Sequence, residues 1–247
     1  MLGVIRLNIE KYCSFLVNWL QGRAKKAGAK GAVLGVSGGV DSAVVSVLCA
    51  RAFGRNTLGL IMPCYSDEND IVDARSVMEK FQINYQIIVL DSIFDEFLRL
   101  VDKSENSIAC ANIKPRLRMA TLYYYAAINN YLVVGSENKS ELTVGYFTKY
   151  GDGGADLWPI GNLVKTQVKK LGLYLEIPQV IIDKVPTAGL WHGQTDEDEM
   201  GITYDELDKY ILTGECLNPE TRNRIEILIN KSNHKRQLPY VPKLKLC

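Results

Sequence analysis

The stretch Gly35–Ser42, GVSGGVDS, decides the fold prediction for this chain. It overlaps the end of a compact apolar run, Ala32–Val36, and precedes Ala43–Phe53. The run predicts a buried strand because it is short, apolar and stopped by glycines, and the segment after the glycines predicts a helix. Two adjacent glycines let the backbone turn tightly and present successive N–H groups to an anion, and the helix adds its positive N-terminal end. The stretch therefore predicts an anion-binding strand–loop–helix unit.

Asp41 is the most informative residue of this loop. A carboxylate repels a bound anion unless a cation lies between them, and Mg²⁺ prefers oxygen ligands that it shares with phosphates. Ser37 and Ser42 add hydroxyl donors. The loop is not a Walker A sequence, because no lysine follows its glycines, and it does not have GxGxxG spacing. It predicts a phosphate site with a magnesium ligand. The alternative interpretation is a tight turn in which an aspartate or serine only caps the helix.

Short apolar runs alternate with helical patterns through the first half of the chain. Three further strands are predicted at Thr57–Met62, Tyr85–Leu90 and Tyr131–Gly135. Two further helices are predicted, one by the shared face of Ile71, Ala74, Met78 and Phe81 and one at Leu117–Asn129. Strands separated by helices indicate an α/β fold with a doubly wound parallel sheet that is covered on both faces.

Length and composition are those of an ordinary globular protein. The chain has 247 residues, 47% hydrophobic and 23% charged, and we expect one domain over residues 1–247. The net charge of +1 gives no support for nucleic-acid binding, which usually requires a basic excess. At the N-terminus, Ile5, Ile9, Tyr12, Leu16 and Trp19 recur at helical spacing among charged residues. This predicts an amphipathic first helix and neither a signal peptide nor a membrane span, so we expect a soluble cytoplasmic protein.

A second group of polar residues follows the fourth predicted strand. Ligands of open α/β sheets lie at the carboxyl ends of the strands, so this segment and the phosphate loop should meet at one edge. Glu141 is then a second metal ligand opposite Asp41. The alternative is a polar helix start with a solvated glutamate. Farther along, Thr195 and Thr203 each precede an acid by three residues, which predicts two helix N-caps.

The phosphate loop resembles that of the N-type ATP pyrophosphatases, which split ATP between its α- and β-phosphates. The resemblance becomes closer in five strings, which are similar to those of the ammonia-dependent NAD⁺ synthetase family: SGGVDSA, NKSE, GYFTKYGDGGAD, PTAGLWHGQTDEDEMG and HKR. The similarity runs from the first strand to the C-terminal HKR. It implies an adenine nucleotide alpha hydrolase-like, Rossmann-like fold.

The resemblance also implies roles for individual residues. ATP contacts are implied for Gly35, Val36, Ser37, Gly38, Gly39, Val40, Asp41, Ser42, Ser136, Lys165 and Thr187. Mg²⁺ ligands are implied at Asp41 and Glu141, and catalytic roles at Asp41, Glu141, Lys165 and Asp152. Contacts to deamido-NAD⁺ are implied for Arg116, Lys149, Asp156, His234 and Lys235.

Several of these residues also have simpler interpretations. Arg116 could start a helix or pair with a surface acid, and Lys165 alone would be a helix-surface lysine. His234 and Lys235 lie in a basic segment that alone would be a solvated tail, and His192 is expected to be a loop residue without chemistry.

The activity implied is the amidation of deamido-NAD⁺ with ammonia, driven by ATP through an acyl adenylate. Asp152 or Asp156 is our hypothesis for the group that removes a proton from the attacking nitrogen. The chain has no room for the glutaminase domain of glutamine-using relatives, so free ammonia is the expected donor.

The resemblance implies a homodimer, for which the stripe Met119, Leu122, Tyr123 and Ala126 is the expected face, although the same stripe suits a core. The alternatives for function are another ATP pyrophosphatase, such as a tRNA-thiolating enzyme or a GMP synthetase-like amidase, and a nucleotide-binding sensor with a dead site.

Overall fold

The structure, a computed structural model, describes residues 8–101, 105–191, 193–216 and 218–242. Its strands are β1 (Gly31–Gly35), β2 (Thr57–Ile61), β3 (Asn84–Ile87) and β4 (Tyr131–Val133). Its α-helices within these ranges are α1 (Ile9–Ala27), α2 (Val40–Phe53), α3 (Glu68–Lys80), α4 (Asp91–Leu100), α5 (Ser107–Ala111), α6 (Ile113–Asn129), α7 (Lys139–Val144), α8 (Lys165–Tyr174), α9 (Gln179–Ile182), α10 (Asp196–Met200), α11 (Tyr204–Thr213) and α12 (Pro219–Ser232). His192 and Ile5 lie outside the described residues.

The four strands form one parallel sheet in the order β3-β2-β1-β4, which confirms the predicted class. The chain winds outward from β1 to β3 and then returns to place β4 on the other side of β1. This reversal creates a crevice at the carboxyl ends of β1 and β4, where ligands bind in such sheets. The phosphate loop and Ser136 follow these two strands.

Side chains of β1 alternate between two cores, so both faces of the sheet are covered. Ala32 and Leu34 pack with α1, α2 and α8 on one face, and Val33 packs with α4 and α6 on the other. A third cluster joins α7, α10, α11 and α12 through residues such as Val144 and Leu207. This third cluster supports the side of the crevice that lies beyond β4.

The predicted helices exist, but two of them begin earlier than predicted. Helix α2 begins at Val40, directly after Gly39, without a side-chain cap. Helix α6 begins at Ile113, four residues before the predicted start, and Pro115 lies in its first turn. Proline is tolerated there because the first N–H groups of a helix have no partner inside the helix. The predicted N-caps Thr195 and Thr203 are confirmed, since each side chain accepts a hydrogen bond from the backbone N–H of the acid three residues later.

The stripe predicted as a dimer face is only partly buried in the single chain, and the dimer itself stays a prediction. Ala126 is 5% exposed in the core, and Met119 and Leu122 line a cavity, whereas Tyr123 reaches the surface. The reason is that α6 packs this face against the sheet. None of the helices in the described part of the chain is both long and apolar enough to cross a membrane.

Candidate active site

Hydrogen bonds of a serine hydroxyl within the phosphate loop fix the conformation of its backbone. The Ser42 Oγ donates to the Gly39 carbonyl oxygen at 3.0 Å and accepts from the Ser37 N–H at 3.2 Å. Gly38 has φ +83°, and a Cβ there would lie 2.4 Å from the carbonyl oxygen of Asp70 in α3. Only glycine allows this approach, so the loop geometry is fixed by its sequence.

Three charged residues from separate parts of the chain meet beside this loop. The Lys165 Nζ lies 2.5 Å from Asp41 Oδ2 and 3.3 Å from Glu141 Oε1. All three side chains are at most 15% exposed. Lys165 is therefore not a helix-surface lysine, and Glu141 is not a solvated glutamate.

Burial and neighbouring charges set the protonation of this trio. Burial raises the pKa of Glu141 to about 8, and the positive charge of Lys165 only partly offsets this effect. Burial lowers the pKa of Lys165, but the carboxylates of Asp41 and Glu141 outweigh it, so the pKa is raised overall. At neutral pH, Lys165 is charged and pairs mainly with Asp41, while Glu141 holds a proton for much of the time.

Asn138 connects the two acids and was not singled out from the sequence. Its Nδ2 donates to Asp41 Oδ1 at 2.9 Å, and its Oδ1 caps α7 by accepting from the Glu141 N–H at 3.0 Å. Glu141 completes the capping box by accepting from the Asn138 N–H. The asparagine at the start of α7 was visible as a capping signal, but its contact with Asp41 spans 97 positions of sequence.

Tyr204 and Asp196 pack beside the trio, and nothing in the sequence indicated that either residue would lie there. The Tyr204 hydroxyl donates to Asp196 Oδ2 at 2.9 Å and lies 3.3 Å from Glu141 Oε1. The Lys165 Nζ lies 4.9 Å from the centre of the Tyr204 ring. Burial raises the pKa of Asp196, and the charge of Lys165 lowers it in part.

A cavity of about 440 Å³ begins at this trio and follows the carboxyl ends of the strands. Every residue with a predicted ATP contact lines it except Gly38, which faces α3. Ser136 follows β4, and Thr187 lies in the loop opposite, where its Oγ1 accepts from the Gly189 N–H. Arg118 also lines the cavity and donates to the Met62 carbonyl oxygen, although the sequence pointed to Arg116.

The residues predicted to bind the dinucleotide form a connected group beside this cavity, with one exception. Arg116 Nη2 lies 3.5 Å from the Lys149 carbonyl oxygen, and Lys149 Nζ donates to the His234 carbonyl oxygen at 2.7 Å. Lys235 lines the cavity and donates to two backbone carbonyls, so it is not part of a solvated tail. Asp156 lies apart.

The two aspartates of the glycine-rich loop have different surroundings. Asp156 accepts from the Val133 N–H at 2.8 Å and from the Tyr123 hydroxyl at 3.1 Å, so both of its oxygens are engaged. Asp152 lines the cavity and is accessible from it, and its Oδ1 accepts from the Thr148 N–H at 2.9 Å. Although the carboxyl of Asp152 opens to the cavity, the protein atoms around it limit its hydration and raise its pKa, and the Thr148 hydrogen bonds lower it in part.

Glu137 is a buried acid that the sequence did not identify. It is 6% exposed, lines the cavity, and its Oε2 has no hydrogen-bond partner. Burial raises its pKa well above the usual range, and the negative charge of Asp152 adds to the effect. The surroundings of this glutamate therefore favour its neutral form.

Three features define this protein as a nucleotide-using enzyme. They are the crevice of a doubly wound sheet, a phosphate loop without a Walker lysine, and a buried Asp–Glu–Lys trio. A sequence model described as NAD synthase matches residues 12–239. The chain belongs to the NAD synthase family, and it is a ligase that forms a carbon–nitrogen bond.

Individual relatives agree with this assignment. The chain is 49% identical over 247 residues to an NH₃-dependent NAD⁺ synthetase from Carboxydothermus hydrogenoformans, covering 97% of this chain and 100% of the relative. Among solved structures, an NMN synthetase from Francisella tularensis has a TM-score of 0.93 and 40% identity, covering 96% of this chain and 100% of the other. An NH₃-dependent NAD synthetase from Campylobacter jejuni, in complex with nitrate, has a TM-score of 0.81 and 32% identity over the same shares.

Proposed function

We propose that this enzyme converts deamido-NAD⁺ to NAD⁺ with ammonia, using ATP and releasing AMP and pyrophosphate. The observation that carries the proposal is the meeting of Asp41, Glu141 and Lys165 at the mouth of the phosphate loop, in a family of NAD synthetases. A carboxylate is a poor electrophile, so it must be activated before nitrogen attacks it. The site is built to gather the phosphates that this activation needs.

The first step is adenylation. An oxygen of the nicotinate carboxylate attacks the α-phosphorus of ATP, and the bond to the bridging oxygen breaks, so pyrophosphate leaves. The loop N–H groups and Lys165 neutralise the charge that builds on the departing phosphates. Binding both substrates in one cavity replaces a collision of two anions with an oriented approach.

The second step forms the amide. Ammonia attacks the carbonyl carbon of the acyl adenylate, the bond to the AMP oxygen breaks, and one proton leaves the nitrogen. We assign the proton to Asp152 rather than Asp156, because Asp152 faces the cavity, whereas both oxygens of Asp156 are engaged. A basic group within reach of the cavity is what the step requires.

The donor set fits one Mg²⁺ ion. Mg²⁺ is usually held by one or two carboxylates together with phosphate oxygens and water. The carboxyl groups of Asp41 and Glu141 both contact the Lys165 ammonium, so they lie close enough together to bind one ion. No group of three or more metal-binding side chains occurs in the described ranges, which agrees with a site completed by the nucleotide. When bound, Mg²⁺ would neutralise phosphate charge and orient the triphosphate.

Isotope transfer tests this mechanism directly. Deamido-NAD⁺ labelled with ¹⁸O in its carboxylate should pass one labelled oxygen to the phosphate of AMP, as measured by mass spectrometry. Without ammonia, pyrophosphate release should stop after about one equivalent of enzyme. Label in pyrophosphate, or steady ATP cleavage without the dinucleotide, would overturn the proposal. An Asp152→Asn variant should slow the ammonia step, and Asp156→Asn should retain it.

A second candidate is amidation of nicotinic acid mononucleotide to NMN. It is favoured by the TM-score of 0.93 with the NMN synthetase, which exceeds the 0.81 found with the NAD synthetase. Both reactions use the same carboxylate and the same trio, and they differ only in the adenylate half of the substrate. Comparison of kcat/KM for the two acids under equal ammonia distinguishes them.

We also propose that the enzyme is a cytoplasmic homodimer, that residues 1–247 act as one domain, and that free ammonia rather than glutamine is the donor. The proposal for the dimer is supported by the family resemblance, and the α6 stripe, of which only Ala126 is buried, stays its predicted face. Light scattering on the purified protein tests the dimer, and substitution of glutamine for ammonia in the assay tests the donor.

A further inference from the structure

Helix α8 carries Lys165 at its first position but lacks an N-cap side chain of its own. The N-cap residue is Val164, whose side chain cannot accept a hydrogen bond. The first N–H groups of a helix need external acceptors, and Ser, Thr, Asp or Asn normally supplies one. In this chain two other helices supply them. The Lys165 N–H donates to Ser140 Oγ of α7 at 3.1 Å, and the Thr166 N–H donates to Asp208 Oδ2 of α11 at 2.7 Å.

Asp208 ties these acceptors together. Its other oxygen, Oδ1, accepts from the Ser140 hydroxyl at 2.5 Å. The residue is 2% exposed, and no lysine, arginine or histidine of the described chain forms a salt bridge with it. Its carboxylate is therefore stabilised by the α8 N-terminus and by the serine hydroxyl. Burial of a carboxylate without an ion pair carries a desolvation cost, which these hydrogen bonds offset.

The two residues that Asp208 joins are adjacent in sequence to two members of the trio. Ser140 directly precedes Glu141, and Thr166 directly follows Lys165. One turn before Asp208 on the same helix, Tyr204 contacts Glu141 and its ring lies beside Lys165. A shift of Asp208 would thus move the backbone of both members of the Lys165–Glu141 pair, which are 3.3 Å apart.

We propose that Asp208 is a positioning residue, which caps α8 from outside and fixes the backbone of Lys165 against that of Glu141. It touches neither substrate, and it acts through Ser140 and Thr166. The inference rests on the proposed roles of Lys165 and Glu141 at the phosphates. A displacement of about 1 Å in such groups can cost about 100-fold in rate, so we expect the position of the α8 start to affect the rate.

The test compares Asp208→Asn with Asp205→Asn, a control that removes an exposed carboxylate from the same helix. The asparagine side chain in Asp208→Asn keeps the shape of the aspartate but turns an NH₂ group toward one of the two donors. We expect Asp208→Asn to raise the KM for ATP and lower kcat by about 10- to 100-fold together, while the KM for the dinucleotide stays within about twofold. Asp205→Asn should retain all three constants.

Ser140→Ala keeps the proposal testable if Asp208→Asn folds poorly. It deletes the hydroxyl that joins Asp208 to the Lys165 N–H, and it should show the same split between the two KM values. The double variant should lose little more than either single one, because both remove one network. Variants that melt earlier but keep the wild-type KM for ATP and kcat would overturn the proposal and leave Asp208 a purely structural residue.

A binding measurement separates this proposal from the proposed function. Calorimetry with a non-hydrolysable ATP analogue and Mg²⁺ reports on the trio even if the acid substrate has been misidentified. Weaker analogue binding by Asp208→Asn, with unchanged binding by Asp205→Asn, supports positioning whatever the acid is. Unchanged analogue binding by both variants counts against positioning even if NAD⁺ is the product.

Discussion

Replacement of Lys165 by methionine tests the electrostatics of the site most directly. Methionine keeps the length and volume of the side chain but removes the charge that lies 2.5 Å from Asp41 and 3.3 Å from Glu141. With an effective dielectric constant of about 20, the attraction to Asp41 alone amounts to about 7 kcal/mol, of which desolvation of the charges cancels a large part. Removal of one partner of a buried pair typically costs about 3–5 kcal/mol.

Protonation of Glu141 moves the expected cost toward the lower limit. Its pKa is about 8 even beside the lysine, so without that lysine it holds its proton more firmly at pH 7. Only Asp41 is then left without a partner charge. We expect Lys165→Met to lose about 3 kcal/mol of unfolding free energy, which corresponds to a fall in Tm of roughly 6–12 °C for a chain of this size.

Magnesium should reverse much of this loss. In the variant, Mg²⁺ no longer competes with the Lys165 ammonium for Asp41 and Glu141, and its binding displaces the proton from Glu141. A ligand at a hundredfold excess over its Kd stabilises the fold by about 2.7 kcal/mol. Thermal unfolding at pH 7.5, in EDTA and in excess Mg²⁺, should therefore show a larger magnesium effect for Lys165→Met than for the wild type.

Lys170→Met is the matched control, because Lys170 is an exposed lysine of the same helix. It should unfold like the wild type and respond to Mg²⁺ in the same way. The reasoning is refuted if Lys165→Met unfolds within about 1 kcal/mol of the wild type in EDTA, or if Mg²⁺ stabilises it no more than the wild type. Amidation should fail in Lys165→Met in either buffer.

Substitutions at three further residues, Glu137, Gly38 and Asn138, test other parts of the site. Burial holds the pKa of Glu137 well above that of an unfolded glutamate, so the folded state keeps a proton that the unfolded state releases, and the contribution of Glu137 to stability falls as pH rises above about 4.3. Glu137→Gln should lose this part of the pH dependence in urea unfolding, with an advantage over the wild type that grows toward neutral pH; parallel curves would contradict it. Gly38→Ala forces a Cβ against a carbonyl oxygen at φ +83° and should lower the free energy of unfolding by about 1–3 kcal/mol. It should also weaken ATP binding, as measured by calorimetry. The control Gly22→Ala, in open space on α1, should stabilise the fold. Asn138→Ala should lose about 1 kcal/mol through its cap and also lower kcat; Asn138→Ser should recover the stability but not kcat, because serine can cap α7 but is too short to reach Asp41. Full activity in either Asn138 variant would show that the contact with Asp41 is not needed.

Local sequence determined the first half of the fold. The strand–loop–helix unit around Gly35–Ser42 was predictable because an apolar run, paired glycines and a helical segment are local signals, and the loop geometry depends on Gly38 and on two serines within the same eight residues. The parallel sheet followed from the alternation of strands and helices. The predicted start of α6 was wrong because Pro115 marks either the end of one helix or the first turn of the next, and only packing decides between them.

The site was predictable only in part. The resemblance placed Asp41, Glu141 and Lys165 in one site, and the structure brings their side chains within 3.3 Å. It carried no signal for Tyr204 or Glu137, because a tyrosine at a helix start and a single glutamate after a strand occur in many proteins. The engaged oxygens of Asp156 were also not visible, since they depend on the edge of β4.

The sequence by itself determined the strand, loop and helix around Gly35–Ser42, because glycines and capping residues act on neighbours within a few positions. Only the tertiary structure decided what those residues do. Lys165 meets Asp41 across 124 positions, and the missing cap of α8 is supplied by Asp208 from another helix. Hydrogen bonds and charges act through space over a few ångströms, so partners far apart in sequence are chosen by the packing of helices and not by the pattern of residues around either one.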